Sequence, residues 1–194
     1  MGSLLFGVGA RRGRRELGWS AMNGHMTTQD AIRSRRNVRQ YAPRPIAAAD
    51  LDEILEAARR APSSNNTQPW DFVVVTDRAE LERLSAVWRG GGHIAESAAT
   101  VALIADAEAV AQGKVQLDLG QAAMSIMLAA AGLGIGSCHS GIGDHELAQR
   151  LLGYPDDKRC VILLSLGYPA GRPLAPIKNP DRKPFDEVVH RGRW

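Results

Sequence analysis

Apolar residues recur at helical spacing in several stretches of the chain. In residues 48–60 they fall at i, i+3, i+4 and i+7, which indicates an amphipathic helix. Residues 115–131 are apolar nearly all round, which predicts a buried helix at the centre of the core and at a subunit interface. Capping residues mark three further helices. The predicted helices are Thr27 to Arg36, Ala48 to Arg60, Asp77 to about Trp88, Val115 to Ala131 and Asp144 to Leu152.

Short runs of β-branched and apolar residues between these helices predict strands. They are Trp70 to Thr76, Thr100 to Ala105, Ser137 to His139 and Val161 to Leu166. The last run is apolar and is therefore expected at the centre of the sheet. The interleaved elements predict an α+β domain of three layers, in which helices flank a mixed central β-sheet.

Residues 1–26 differ in composition from residues 27–194, which we expect to form a single domain. The N-terminal stretch carries four arginines against one glutamate and so accounts for the whole formal net charge of +3. Its charge follows the apolar residues, which excludes a secretory signal. A disordered extension, vector residues with an alternative start at Met26, and an Arg-rich transit peptide stay open. A neutral body also argues against nucleic acid as the main partner.

Composition and cysteine content limit the class of protein and the compartment to be expected. Hydrophobic residues make up 44% of the chain, and no apolar run has the roughly 18 residues that a membrane helix needs. Cys138 and Cys160 lie in apolar stretches without metal-site spacing, so we expect buried free thiols, no bound metal and a cytoplasmic protein.

Two polar stretches carry the candidate chemistry. The run Arg35-Arg36-Asn37-Val38-Arg39 offers planar guanidinium groups, which bind phosphate through paired charge-assisted hydrogen bonds. The run from Pro62 to Trp70 offers hydroxyl, amide and backbone N–H groups on a turn, which suit the polar edge of a heteroaromatic ring. Together they predict a phosphorylated, ring-bearing cofactor.

The order of four motifs resembles the FMN-dependent nitroreductase family. Together the motifs span residues 28–194, and the proline-serine block is the most specific of them. They are Arg35-Arg36-Asn37-Val38-Arg39; Pro62-Ser63-Ser64-Asn65-Asn66-Thr67-Gln68-Pro69-Trp70; Asp118-Leu119-Gly120, which enters an alanine-rich helix; and Leu166-Gly167-Tyr168-Pro169 with the later Arg182-Lys183-Pro184.

The resemblance implies a homodimer with two FMN sites at its interface. Arg35, Arg36, Asn37 and Arg39 would hold the phosphate, ribityl chain and ring edge, and Arg182 would close on the phosphate. Pro62, Ser63, Ser64 and Asn66 would come from the partner subunit. Ser140 and Gly141 would present backbone N–H groups to the reactive ring nitrogen, and His139 is a possible proton donor, whereas His93 is expected at the surface.

The implied activity is transfer of hydride from NAD(P)H through FMN to flat acceptors such as nitroaromatic compounds or quinones, by ping-pong kinetics. The chain departs from the family pattern at Asn37, where serine is usual, at Ser125, where asparagine is common, and in the short segment 89–115. Two alternatives therefore stay open: an FMN-sequestering protein with little turnover, and oxygen-dependent or dehalogenating chemistry on the same fold.

Overall fold

The computed structural model describes residues 26–194. The prediction for residues 1–26 lies almost wholly outside the described residues and stays a prediction. Among residues 26–194, none of the helices combines the length and apolar character that crossing a membrane requires.

One antiparallel sheet of four strands, in the order β1-β2-β4-β3, forms the centre of the fold. The strands are β1 Asp71–Val75, β2 Ala99–Asp106, β3 Gly136–Ser140 and β4 Lys158–Gly167. Strand β4 lies between β2 and β3, as its apolar run predicts, and it pairs Ser165 with Cys138 and Leu163 with Ser140. The sequence predicted a mixed sheet, whereas the four strands pair antiparallel. Within the described residues, parallel pairing is limited to an isolated bridge between Asn37 and Ser137.

Eight α-helices and one short 3₁₀ helix are described around this sheet. Thr27, Asp77 and Asp144 each accept a backbone N–H group with their side chain at the start of the helix that follows them. The helices are α1 Thr28–Ser34, α2 Ala48–Arg59, α3 Arg78–Ser85, α4 Gly92–Ala95, α5 Ala107–Ala111, α6 Gln116–Gly132, α7 His145–Leu152 and α8 Phe185–Val188; the 3₁₀ helix is Ser64–Asn66.

Alternation along β2 and β4 divides the core into two parts. Val101, Leu103 and Leu164 face α2 and α6 on one side of the sheet. Ala102 and Leu163 face the side that α3, α4 and α7 cover. The three-layer α+β architecture is thus confirmed, and both cysteines are buried and unpaired as predicted.

Two helix ends were predicted wrongly. Helix α1 ends at Ser34 rather than Arg36, because the Arg35 backbone turns to an extended conformation. Helix α3 ends at Ser85, so Trp88 lies in the following turn, where it packs against Gly143. The short α4, α5 and α8 were not predicted, since each is five residues or fewer and shows no helical periodicity.

Two glycines let the segment after α1 lie close against the sheet. A Cβ at Gly136 would come within 2.7 Å of a Val38 methyl, and one at Gly167 would come within 2.7 Å of the Tyr41 ring. Val38 N donates to Ser137 O at 2.9 Å, which continues the contact through the backbone. The arginine-rich segment is therefore held against the ends of β3 and β4.

Candidate functional site

The arginine-rich segment presents Arg35 and Asn37 together. Arg35 Nη1 donates to Asn37 Oδ1 at 3.4 Å and to Met127 Sδ on α6 at 3.8 Å. The chain is extended here, so alternate side chains point to opposite sides and Val38 is buried against Gly136. Arg39 is exposed. Burial raises the pKa of the Cys138 thiol, and the Arg39 charge opposes this rise in part.

Arg36 does not join this group. Its guanidinium donates to the backbone carbonyls of Arg172 and Pro173. Burial, and then the Arg172 charge, lower the pKa of Arg36. Arg36 thus contacts the chain that follows β4, and its role in cofactor binding stays a prediction.

A cavity of about 330 Å³ opens beside this segment. Its lining contains three arginines and no carboxylate, which makes it suited to an anion. The lining residues are Arg36, Asn37, Val38, Arg39, Gln40, Pro169, Gly171 and Arg172. Within residues 26–194, no carboxylate lies within 4.0 Å of the guanidinium nitrogens of Arg35, Arg39 or Arg172.

The proline-serine block forms an exposed turn with unusual backbone angles. Asn65, Asn66 and Gln68 have φ values of 51°, 56° and 50°, in the left-handed region that non-glycine residues seldom adopt. Ser63 Oγ accepts from Gln68 N at 2.9 Å and closes the turn. Pro62, Ser64 and Asn66 are exposed, so their outer polar groups are available to a ligand.

Asp118 anchors this turn to the start of α6. Its carboxylate is 2% exposed and accepts from Ser64 N at 3.2 Å and from Ser64 Oγ at 3.4 Å. The sequence places Asp118 in a motif but does not indicate its partner. The geometry assigns it to holding the turn.

The two groups of predicted site residues meet α6 on opposite sides within one chain. Asp118 contacts the Ser64 turn and Met127 contacts Arg35, and these two α6 residues are nine positions apart. At about 100° and 1.5 Å per residue, their directions differ by roughly 180° and their positions by about 13.5 Å. One chain therefore does not bring Arg35 and Ser64 together.

The end of β3 holds a buried polar chain that the sequence did not indicate. Ser140 Oγ lies 2.9 Å from His93 Nε2, and His93 Nδ1 lies 2.8 Å from Ser165 Oγ. Ser165 Oγ also lies 2.8 Å from the Tyr41 hydroxyl. His93 is 7% exposed, which corrects its predicted surface position. Burial chiefly, then the charges of Arg39 and His139, lower its pKa, which favours the neutral ring.

The remaining predicted residues are exposed. His139 and Gly141 are exposed on either side of the buried Ser140, and a Cβ built on Gly141 would meet no atom within 4 Å apart from its chain neighbours. Among the described residues, the hydrogen bond of the Arg182 side chain runs from Nη1 to the neighbouring Asp181 carbonyl. Arg182 follows Ile177, which donates to Arg33 O, by five residues, so the chain keeps its backbone within about 18 Å of that point.

Comparison with known proteins gives consistent matches. The nitroreductase family model matches residues 32–92 and 88–168. A relative from Archaeoglobus fulgidus, with a provisional name as an NADH dehydrogenase/NAD(P)H nitroreductase, is 34% identical over 176 residues, covering 84% of this chain and 96% of the relative. The oxygen-insensitive NADPH nitroreductase of Salmonella typhimurium is 29% identical over 185 residues, covering 86% and 74%.

A solved structure with the same fold is the FMN-dependent nitroreductase of Clostridium difficile R20291. It superimposes with a TM-score of 0.75 at 27% identity, covering 84% of this chain and 98% of that one.

Proposed function

This chain belongs to the nitroreductase family, and we propose from that premise that it binds FMN and passes electrons from NAD(P)H to a flat acceptor. FMN, when bound, supplies the redox chemistry by accepting hydride from the nicotinamide and reducing a nitroaromatic compound or a quinone in a second half-reaction. One shared binding face for donor and acceptor predicts ping-pong kinetics.

The observation that carries the proposal is the cationic group beside the 330 Å³ cavity. Arg39 lines this cavity, while Arg35 and Asn37 lie together on the same segment, and no carboxylate competes for these arginines among residues 26–194. A phosphate suits such a group, because guanidinium binds it through charge-assisted hydrogen bonds. At about 4 Å and an effective dielectric of 20, each arginine contributes roughly 4 kcal/mol of attraction per unit charge before desolvation.

The site is completed by a second copy of the chain in this proposal. Arg35 and the Ser64 turn lie on opposite sides of α6, so a ligand that touches both must lie between two protomers. The outer face of α6 supports this arrangement, since Leu117 is 73% and Met124 42% exposed. Pro62, Ser63, Ser64 and Asn66 of the second copy would then contact the cofactor.

Ser140, Gly141 and Arg182 complete the proposed contacts. Gly141 lies at the open end of β3, where a planar ring can approach the backbone without meeting a side chain. Arg182 lies within chain reach of the arginine-rich segment and would approach the phosphate. His139 is exposed beside this position and stays a candidate proton donor.

The direct test is to purify the protein, add FMN, remove the excess and record the flavin absorbance. Oxidation of NADPH and of NADH is then followed with menadione or a nitrofuran as acceptor. We expect bound flavin and acceptor-dependent turnover with parallel initial-velocity lines. Protein that stays colourless after FMN addition would refute cofactor binding. Bound FMN without turnover would refute the reductase activity and favour flavin sequestration.

The dimer is tested separately by light scattering of the purified protein, with Leu117→Glu and an exposed control, Asp52→Lys on α2. We expect a dimer for the wild type and the control, and loss of both the dimer and the bound FMN for Leu117→Glu. A monomeric wild type that binds FMN fully would contradict the shared site.

A further inference from the structure

We propose that His93 is a positioning residue for the flavin site, holding Ser140 at the end of β3 in a fixed position. The inference rests on the proposed function, because Ser140 and Gly141 are the proposed backbone contacts to the flavin ring. Its new content is that the position of these contacts is set by a side chain from another part of the chain, on the short helix α4.

The geometry supports a direct connection. His93 Nε2 lies 2.9 Å from Ser140 Oγ, and among the described residues this is the single hydrogen-bond partner of the Ser140 side chain. His93 Nδ1 lies 2.8 Å from Ser165 Oγ on the central strand β4. The imidazole thus spans from the middle of the sheet to the last residue of β3.

Ser165 is itself firmly held. Its Oγ donates to Cys138 O at 3.2 Å and lies 2.8 Å from the Tyr41 hydroxyl oxygen, which is also 3.2 Å from Ser165 O. Tyr41 in turn packs on Gly167 at the end of β4. His93 therefore connects Ser140 to a point that both the sheet and the arginine-rich segment fix.

Counting protons gives one consistent arrangement for the chain. If Ser165 donates to Cys138 O, it accepts from His93 Nδ1–H and from the Tyr41 hydroxyl. His93 Nε2 is then an acceptor, and Ser140 donates its hydroxyl hydrogen inward. In this arrangement every polar atom of the four side chains has a partner, and Ser140 is held by a directed hydrogen bond.

Arg39, which lines the cavity, also acts electrostatically on the residues of this network. Its charge acts on His93, Cys138 and Tyr41. The network is therefore electrostatically coupled to an arginine of the proposed site, and its direct contact with Ser140 is expected to carry a change in it to the flavin contacts.

A matched control lies four residues away. Ser97 is fully buried and donates to Ile94 O at 2.7 Å, with Thr100 Oγ1 at 3.2 Å. Its hydrogen bonds stay within its own segment and do not reach β3. Ser97→Ala thus removes a buried hydrogen bond near α4 without touching Ser140.

The experiment compares the wild type with His93→Phe, His93→Gln and Ser97→Ala. Three quantities are measured on each: the FMN dissociation constant, the midpoint potential of bound FMN, and amide hydrogen exchange at residues 138–141 in the FMN-free protein. Phenylalanine fills the volume without hydrogen bonding, whereas glutamine retains a donor and an acceptor.

We expect His93→Phe to weaken FMN binding about tenfold, the effect of losing one buried hydrogen bond. It should also shift the potential and speed exchange at residues 138–141. Glutamine should restore FMN affinity to within about threefold of the wild type, and Ser97→Ala should leave all three measurements at the wild-type values. In a Ser140→Ala background, the effect of His93→Phe on FMN affinity should disappear.

Equal changes in His93→Phe and Ser97→Ala would overturn the inference, as would an undiminished His93→Phe effect in the Ser140→Ala background. If His93→Phe does not fold, His93→Gln and Ser140→Ala are compared with the wild type instead. Wild-type FMN affinity and wild-type midpoint potential in both variants would then overturn the inference. If the wild type binds no FMN, the proposed function fails by itself, and unchanged hydrogen exchange in His93→Phe would refute the positioning role independently.

Discussion

Asp118→Ala is expected to release the turn that contains Ser64. The Asp118 carboxylate is 2% exposed and accepts from both the backbone N–H and the hydroxyl of Ser64. Beyond this anchor, Asn65, Asn66 and Gln68 hold left-handed backbone angles. Such angles cost about 1 kcal/mol or more per residue, so the turn depends on contacts that fix it.

The magnitude follows from the interactions that the substitution removes. Hydrogen bonds to a charged acceptor contribute about 1.5–3 kcal/mol, and Ser64 is exposed, so water can partly replace the lost acceptor. Asp118 also lies in the first turn of α6, where a carboxylate contributes about 0.3–1 kcal/mol through the helix dipole. We expect a loss of about 2–3 kcal/mol in the free energy of unfolding.

Urea denaturation of the FMN-free protein measures this loss, and limited proteolysis measures the opening of residues 63–68. A loss of that size corresponds to a fall of about 5–10 °C in Tm for a domain of this length. Asp118→Asn keeps one acceptor oxygen and should lose about half as much. Asp52→Ala, an exposed carboxylate on α2, is the matched control.

An Asp118→Ala variant whose stability and proteolysis match those of Asp52→Ala would refute the anchoring role. A variant that loses stability while residues 63–68 keep their protection would also refute it, because the destabilisation would then come from α6 alone.

Four further expectations concern the arginine-rich segment and the His93 network. Gly136→Ala should cost about 1–3 kcal/mol by overpacking against Val38, and thermal unfolding at the wild-type Tm would contradict this. Arg39→Ala should weaken FMN binding by about 1–3 kcal/mol, and wild-type FMN affinity of this variant in titrations would contradict the assignment. Arg36→Ala should also reduce stability, because it removes hydrogen bonds to the Arg172 and Pro173 carbonyls, and an unchanged Tm would contradict this. Burial lowers the pKa of His93, so the unfolded chain binds its proton at higher pH than the folded chain. Stability should therefore be complete above about pH 6.5 and fall below it, and a His93→Gln variant with an unchanged pH profile would refute this.

Long elements were predictable because their apolar pattern repeats over several turns or fills a whole strand. Helices α2 and α6 lie within one residue or so of their predicted bounds, and β4 occupies the predicted centre of the sheet. Each of these elements buries a continuous apolar surface, so the local pattern and the tertiary packing agree.

The separation of Arg36 from Arg35 and Asn37 could not be read from the sequence. A helix that continued to Arg36 would place the two arginines about 100° apart on its last turn. The helix instead ends at Ser34, and the extended chain then sends alternate side chains to opposite sides. A boundary difference of two residues thus changes which groups each arginine can contact.

The His93 network was hidden for a different reason. Ser165 lies inside an apolar run, and His93 follows three glycines in a segment without periodicity. The other two members of the network are far from Ser165 in the chain: Ser140 is 25 residues away and Tyr41 is 124 residues away. The pairing of β3 with β4, and the packing of α4 and of the Tyr41 segment against them, bring these polar groups together, and sequence patterns do not contain those contacts.

The position of the two contacts on α6 links cofactor binding to assembly. Asp118 holds the serine turn on one side of the helix and Met127 meets Arg35 on the other, so neither side alone surrounds a ring and its phosphate. In the proposed dimer each α6 serves both sites at once, because its two sides face different cofactors. FMN then binds the dimer in preference to the monomer, and by mass action the cofactor stabilises the assembly as much as the assembly stabilises the bound cofactor.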